Sequence, residues 1–292
     1  MINNLGYACI NMTLGKKGSF KTTTATSASK LSEQDRFNKI QQLTRQNFDT
    51  LYDIMKFNID NNIHLYRVSS DMCPLNTHEI CNYDFTQDAV VLSMASKIKE
   101  MAIDNNIRLS IHPSQFLVLS SDKEHVVRNS IIDLEYHYKL MQLLGIEICC
   151  IHVGGKTGGI ELAKQRFINT FNALPQHLKD IIHLENDDKS FNVSDTLDIC
   201  EEINIPMILD FHHDRCLPSR DSVEYCINRI CATWKGRTPK AHLSSGKTSV
   251  TDRSHADYIQ KEDYDYVNSI WCGDLMLECK QKDLALFRLI SK

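Results

Sequence analysis

The chain has 292 residues, of which 42% are hydrophobic and 24% charged, so it can bury a substantial apolar interior and is not an intrinsically disordered protein. Its formal net charge of −4 argues against indiscriminate wrapping of nucleic acid, although bound divalent cations would change the field at one face. The N-terminus lacks the basic start and long apolar centre of a signal peptide, and no apolar stretch approaches the roughly 18 residues of a membrane span. We therefore expect a soluble, intracellular protein that contacts no membrane.

Short apolar runs recur along the whole chain and predict eight β-strands. They lie at residues 5–10, 63–68, 107–111, 146–153, 181–184, 205–211, 239–243 and 274–277. Most gaps between them hold longer amphipathic stretches that predict helices, the clearest being 35–61, 85–105, 124–144 and 223–234. Residues 15–32 are rich in Ser, Thr and Lys and lack periodicity, which predicts a long loop after the first strand. The connection at 244–270 is the least regular.

Alternation of strand and helix eight times predicts an α/β fold, a (β/α)8 TIM barrel with right-handed crossovers. Barrels with insertions reach this length as one domain, so we predict a single domain over residues 1–292. The C-terminal ends of the strands and the loops after them form the active face of such a barrel, so we expect a metal site there.

The cysteines indicate the redox environment. The chain has 11 of them without a Cys-x-x-Cys pair, and Cys149 and Cys150 are adjacent inside an apolar run. An odd count without paired spacing is typical of reduced, buried thiols rather than of a disulfide framework. We therefore expect a reducing compartment.

Potential metal ligands recur near the ends of six predicted strands. They are His112, His152, Glu185, Asp210, His242 and Glu278. One such residue alone is more often a hydrogen-bonded core or capping residue, but an apolar barrel interior does not tolerate six of them without cations. His213 follows Asp210 by three residues, where a turn lets both reach one ion, and His255 lies 13 residues after His242 within the irregular connection. Ligands of this kind suit Zn²⁺ or Mn²⁺ and favour hydrolysis of a phosphate ester.

Lys240 precedes His242 by two residues, on the same face of the predicted strand. A protonated ammonium beside several cations is electrostatically disfavoured, so we expect Lys240 to be neutral or carboxylated. The simpler interpretation is an exposed lysine near the start of a strand.

From end to end the chain resembles the UV damage endonucleases, relatives of the endonuclease IV type of abasic-site nuclease. The resemblance is carried by the order and spacing of several segments. They are LGYACINMTLG at 5–15, YRVSSDMCPL at 66–75, SIHPSQF at 110–116, IHVGGKTGG at 151–159, LENDD at 184–188, LDFHHD at 209–214, PKAHLSS at 239–245 and DLMLECKQKD at 274–283.

The resemblance implies a TIM barrel that holds up to three divalent ions, usually Mn²⁺, with Zn²⁺ or Mg²⁺ as alternatives. It implies nicking of damaged double-stranded DNA on the 5′ side of cyclobutane dimers and 6-4 photoproducts, and abasic sites are a further candidate substrate. The products would be a 3′-hydroxyl and a 5′-phosphate. The implied metal ligands are His112, His152, Glu185, Asp210, His213, His242, His255 and Glu278. We assign catalytic roles to Glu185, Lys240, His242 and Glu278, and the resemblance favours a carboxylated Lys240.

Residues that probe DNA in the family would fall on Tyr7, Asn11, Gln115 and Phe116. Phe116 stands where a tyrosine is expected, which keeps a stacking surface but removes a hydroxyl and could shift lesion preference. Gln115 and Phe116 could fill the gap left when damaged bases leave the stack; the alternative is that Phe116 packs beneath its loop. Lysines in predicted active-face loops are candidates for phosphate contacts: Lys16, Lys17, Lys21, Lys156 and Lys247.

Three other functions stay open at this point. An abasic-site endonuclease would share the metals but recognise an extrahelical deoxyribose. A metal-dependent sugar isomerase also carries Glu, Asp and His at strand ends, but it needs fewer ligands and gives Gln115 and Phe116 no role. A damage-binding protein without catalysis would need no metal. Because one chain carries the whole ligand set, we expect a monomer.

Overall fold

The computed structural model describes residues 1–291 and contains eight parallel strands that close into a barrel. In chain order the strands are β1 (Ile2–Ala8), β2 (Leu65–Val68), β3 (Arg108–Ile111), β4 (Ile148–His152), β5 (Ile182–Glu185), β6 (Met207–Asp210), β7 (Lys240–Leu243) and β8 (Gly273–Leu277). Each strand pairs with the next one along the chain, and β8 closes the barrel against β1. The predicted (β/α)8 TIM barrel is confirmed.

Helices surround the barrel and connect its strands. Their bounds are α1 (Ala25–Ala28), α2 (Glu33–Asp60), α3 (Ala89–Asp104), α4 (Glu124–Leu144), α5 (Ile160–Ala173), α6 (Gln176–Lys179), α7 (Val193–Ile203), α8 (Phe211–Cys216), α9 (Val223–Thr233), α10 (Lys261–Ile270) and α11 (Lys282–Ile290). Short 3-10 turns lie at Gly15–Gly18, Ser70–Met72 and Phe85–Gln87. None of the helices within residues 1–291 is long and apolar enough to cross a membrane.

The ends of these helices follow from local chemistry. Helix α2 begins after Ser32, whose hydroxyl accepts a hydrogen bond from the Asp35 amide and so caps the first turn. Helix α4 ends at Leu144 because the next residue, Gly145, takes the left-handed conformation with φ 69°. Its buried side chains, including Leu134 and Leu140, pack on the outer face of the barrel because they recur at helical spacing.

Some element boundaries differ from the prediction. The first strand ends at Ala8 rather than at residue 10, because Cys9 has a positive φ of 66° that breaks the extended backbone. The sixth strand ends at Asp210, whose carboxylate accepts hydrogen bonds from the His212 and His213 amides and starts α8. The helix predicted from residue 85 begins only at Ala89.

The segment predicted as a long loop at residues 15–32 connects β1 to α2, but it contains the 3-10 turn Gly15–Gly18 and the short helix α1. Asn47 of α2 anchors it. Asn47 makes a pair of hydrogen bonds with the backbone of Lys21: its Oδ1 accepts from the amide at 2.6 Å and its Nδ2 donates to the carbonyl at 2.9 Å. The irregular seventh connection has no helix before α10, and an isolated bridge joins Gly246 to His255 within it.

Alternate residues of each strand face the barrel axis. In β4, Ile148 and Cys150 join a small interior cluster with Ile208 and Trp234, whereas Cys149 belongs to the larger core that includes residues of the surrounding helices. Trp234 fills the N-terminal end of the barrel, and its indole is flanked by the guanidinium groups of Arg108 at 5.4 Å and Arg237 at 5.5 Å. The C-terminal end is left to polar side chains.

Candidate metal centre and exposed loop

Glu185 lies at the centre of a cluster of histidines and carboxylates at the C-terminal end of the barrel. It ends β5 and is 1% exposed. Its Oε2 atom is 2.9 Å from His112 Nε2 and 3.5 Å from His152 Nε2, while its Oε1 atom is 2.7 Å from His242 Nδ1. Three histidines on three other strands or strand ends therefore converge on one carboxylate.

The potential ligand atoms form overlapping groups within 4.8 Å. One group holds His112, His152 and Glu185. Another holds Glu185, Asp210, His242 and Glu278. Six of the residues predicted from strand ends thus come together, and Glu185 belongs to both groups, as a carboxylate that gives one oxygen to each of two ions would.

The histidine rings are oriented by backbone carbonyls. His112 Nδ1 donates to the Pro113 carbonyl at 2.8 Å, and His152 Nδ1 lies 3.3 Å from the Glu185 carbonyl. Because the proton is held at Nδ1, Nε2 keeps its lone pair and faces the Glu185 carboxylate. The Nε2 lone pairs of His112 and His152 and the negatively charged Glu185 carboxylate thus face one another. A cation bound between them would stabilise this arrangement.

Two buried atoms of the cluster have no hydrogen-bond partner among the described residues. They are Asp210 Oδ2 and His242 Nε2. A buried polar atom without a partner costs about 1–3 kcal/mol, so both fit the role of cation ligands. The residues present therefore suit a group of divalent ions.

His213 lies on the first turn of α8 beside Asp210. Its Nδ1 atom donates to the Asn186 carbonyl at 2.9 Å and is 3.8 Å from Asp210 Oδ2 and 3.9 Å from Glu185 Oε1. Burial alone would lower the pKa of His213, but the Asp210 and Glu185 carboxylates outweigh burial and raise its pKa to about 9. The same carboxylates would favour a metal ion at this position.

His255 lies apart from these groups. Its ring is 6.0 Å from that of His212, measured between centroids, in the connection between β7 and α10. His212 in turn lies within hydrogen-bonding distance of the Asp252 carbonyl, with Nε2 at 2.9 Å. A role of His255 as a ligand stays a prediction.

Arg67 is a charged residue of the site that the sequence analysis missed. It points inward from β2 and forms an ion pair with Glu278, in which each side chain is 12% exposed. Burial would raise the pKa of Glu278, but Arg67 and then His242 outweigh it and hold that pKa well below its ordinary value. In the structure, Arg67 thus supplies the positive charge next to Glu278.

Lys240 is fully buried, so the interpretation as an exposed lysine is wrong. Its Nζ atom donates to Ser110 Oγ at 2.8 Å across the barrel interior. Burial lowers the pKa of Lys240 to about 8, which leaves an appreciable fraction of neutral amine near neutral pH.

The loop after β3 presents Gln115 and Phe116 to solvent beside His112. Phe116 is 79% exposed, so the alternative in which it packs beneath the loop is wrong. Tyr7 and Asn11 differ, because both are fully buried: Asn11 Nδ2 donates to the Tyr7 hydroxyl at 2.8 Å, and that hydroxyl donates to Asn58 at 2.8 Å. Neither reaches the surface in this conformation, and their contact with DNA stays a prediction.

The lysines proposed for phosphate contacts are all exposed. They are Lys16, Lys17, Lys21, Lys156 and Lys247. The cysteines of the chain are free of disulfides, as expected.

Comparison with known proteins identifies the family of the chain. The family model for the UV-endonuclease UvdE matches residues 3–292. A UV DNA damage endonuclease of Bacillus cereus (strain G9842) is 38% identical over 309 residues, covering 100% of this chain and 95% of that protein. The solved structure of SacUVDE superposes with a TM-score of 0.88 at 32% identity, covering 99% of this chain and 96% of that one.

A more distant structure shares the fold alone. Endonuclease IV from Thermus thermophilus superposes with a TM-score of 0.61 at 13% identity, over 99% of this chain and 98% of that one. The family match along nearly the whole chain, together with relatives more than 30% identical, settles the family relationship. The chain belongs to the UV-endonuclease UvdE family.

Proposed function

We propose that this chain is a DNA repair endonuclease that hydrolyses the phosphodiester on the 5′ side of ultraviolet photoproducts and leaves a 3′-hydroxyl and a 5′-phosphate. The observation that carries the proposal is the cluster around Glu185 at the mouth of a barrel of this family, with Gln115 and Phe116 exposed beside it. The Bacillus cereus relative bears the name UV DNA damage endonuclease, which supports ultraviolet damage as the substrate.

The cluster would hold up to three divalent ions, and we propose Mn²⁺. The residues that would hold them are His112, His152, Glu185, Asp210, His213, His242, His255 and Glu278. When bound, such ions make water a stronger nucleophile near neutral pH and neutralise charge on the phosphate and on the departing oxygen. Because one chain supplies the whole set, we propose that the enzyme acts as a monomer.

The chain's own residues prepare the site in three ways. The Pro113 carbonyl fixes the ring of His112 so that Nε2 faces the cluster. Asp210 uses one carboxylate oxygen to cap α8, and its other oxygen stays free for a ligand role. Glu185, Asp210 and His242 are buried, and the low dielectric around them strengthens the electrostatic interactions within the cluster.

We propose that Lys240 is carboxylated. Its amine is buried, and the Ser110 hydroxyl is its hydrogen-bond partner, so the conversion to a carbamate would replace an unfavourable cation by an anionic oxygen ligand. Protein equilibrated with ¹³C-bicarbonate should show a carbamate carbon resonance in NMR spectra that the Lys240→Met variant lacks. The same spectrum from both proteins would contradict the proposal.

The substrate is tested by nicking of supercoiled plasmid in three forms: ultraviolet-irradiated, abasic and untreated, each with Mn²⁺ or with chelator. Nicking of irradiated plasmid that needs Mn²⁺ is the expected result. Nicking of abasic plasmid alone would move the assignment to an abasic-site endonuclease. Binding of irradiated DNA without nicking would support a damage-binding protein.

The exposed pair Gln115 and Phe116 should act as a wedge that replaces damaged bases in the stack. Base stacking on an aromatic side chain contributes about 1–3 kcal/mol, so the double variant Gln115→Ala, Phe116→Ala should nick irradiated plasmid about 10–100-fold more slowly. Its melting temperature should be unchanged because both side chains are exposed. Tyr225→Ala, which removes an aromatic side chain that is 67% exposed on α9, is the control and should keep the native rate. A double variant as fast as the native protein would refute the wedge.

A further inference from the structure

Cys150 is a buried thiol inside the barrel to which the proposed mechanism gives no role. It lies on β4 two residues before His152, on the same inward face, and is 0% exposed. Its Sγ atom is 3.1 Å from Glu185 Oε2 and donates a hydrogen bond to it. That oxygen is also the one that His112 Nε2 approaches at 2.9 Å. The thiol is thus directed at the central carboxylate of the cluster from below.

Cys150, Glu185 and His242 form a group of potential ligands of their own. One ligand atom from each lies within 4.8 Å of the others, and all three residues are buried. A second observation points to a ligand here: His242 Nε2 is a buried nitrogen without a hydrogen-bond partner among the described residues, and the His242 side chain is 0% exposed. Sulfur, nitrogen and oxygen donors therefore meet in one dry part of the barrel.

We propose that Cys150 is a metal ligand in this chain and, with Glu185 and His242, gives one position of the proposed cluster a preference for a thiophilic divalent ion such as Zn²⁺ or Co²⁺, while the other positions take Mn²⁺. This changes the expected ligand set, which contained no thiolate, and it rests on the proposed metal centre. On binding, the bond between sulfur and hydrogen breaks, the proton leaves to solvent, and the sulfur donates its electron pair to the metal ion. Thiolates favour softer ions, whereas sets of carboxylates and water suit Mn²⁺.

Cys149 provides a matched control on the same strand. It is also 0% exposed, but it belongs to the core between the barrel and the helices and faces away from the axis. Replacing either cysteine by alanine removes one buried sulfur atom, and the other ten of the 11 cysteines stay in place. A difference between the spectra of Cys149→Ala and Cys150→Ala therefore depends on whether the sulfur atom faces the barrel axis or the helices.

The test is titration of the metal-free protein with Co²⁺, followed by absorbance. The native protein and Cys149→Ala should both develop a near-ultraviolet charge-transfer band between thiolate and cobalt. Cys150→Ala should lack that band but keep the weaker visible bands of cobalt bound to histidine and carboxylate. The preference for Zn²⁺ over Mn²⁺, measured by displacement of Co²⁺, should fall at least about tenfold in Cys150→Ala only.

The spectra separate this inference from the proposed function. Visible bands without a charge-transfer band in the native protein would overturn the role of Cys150 and leave the metal centre intact. Absence of both would overturn the metal centre and this inference together. A charge-transfer band that persists in Cys150→Ala would assign the thiolate to another cysteine. The spectrum of the native protein shows by itself whether a thiolate binds cobalt. The proposal can therefore be refuted even if a variant misfolds.

Discussion

Glu185→Gln should abolish metal-dependent nicking of ultraviolet-irradiated plasmid, with kcat/KM at least about 10³-fold lower than in the native enzyme. Glu185 is the one residue shared by all three groups of potential ligands, and His112, His152 and His242 all converge on it. The amide has nearly the same shape but no charge, so it is a poor ligand for a hard cation. The loss should therefore come from the metal centre and not from packing.

The matched control for this variant is Glu161→Gln on α5. The Glu161 side chain is 86% exposed and lies outside the cluster, so the change removes one negative charge without touching the site. It should nick irradiated plasmid at the native rate. Mn²⁺ content, measured by elemental analysis after dialysis, should fall in Glu185→Gln and stay constant in Glu161→Gln. If Glu185→Gln kept activity within about tenfold, Glu185 could not be the central ligand.

Arg67→Met should lower the free energy of unfolding of the metal-free protein by about 3 kcal/mol, because it leaves the largely buried Glu278 carboxylate without its cation. Added Mn²⁺ should recover most of that loss, since a divalent ion would supply the missing positive charge. Urea unfolding in chelator and in Mn²⁺ measures both values. A loss of packing would lower the free energy of unfolding equally with and without Mn²⁺. A deficit that Mn²⁺ reduces therefore identifies the missing positive charge as its cause.

Arg45→Met is the comparison for that experiment. Arg45 also pairs with a buried carboxylate, that of Asp88, whose side chain is 2% exposed, but this pair lies between α2 and the start of α3. Its variant should lose stability by the same amount in chelator and in Mn²⁺. An Arg67→Met deficit that Mn²⁺ leaves unchanged would show that Arg67 does not substitute for a cation at Glu278.

The barrel could be predicted from sequence because its strands are buried on both faces and therefore appear as short apolar runs between amphipathic helices. The ligands could be predicted for the related reason that His or carboxylate at the end of such a run is costly without a partner. Strand ends were less predictable. Asp210 is the last residue of β6, and its carboxylate also caps α8, which only the backbone geometry reveals.

Arg67 and Cys150 escaped prediction because each resembles something ordinary. Arg67 lies in a strand of only four residues, where a charged side chain resembles a break in the strand. The signal that could have identified it is its position two residues after Leu65, which places it on the inward face of β2. A cysteine in an apolar run resembles any core residue. Which of Cys149 and Cys150 faces the axis depends on the register of β4, and the adjacent pair allows either.

The cluster draws its side chains from six different strands or strand ends, β3 to β8, so no single strand and its following helix contain it. The site is complete only when β3 to β8 lie side by side in the ring, which β1 and β2 close. In a circular permutant the original termini are joined, and the chain is cut in a connection at the end of the barrel opposite the cluster. The strands then follow a different order along the chain but the same order around the ring. Circularly permuted versions of this protein should consequently rebuild the same site, whereas a fragment that lacks any one of β3 to β8 should have none.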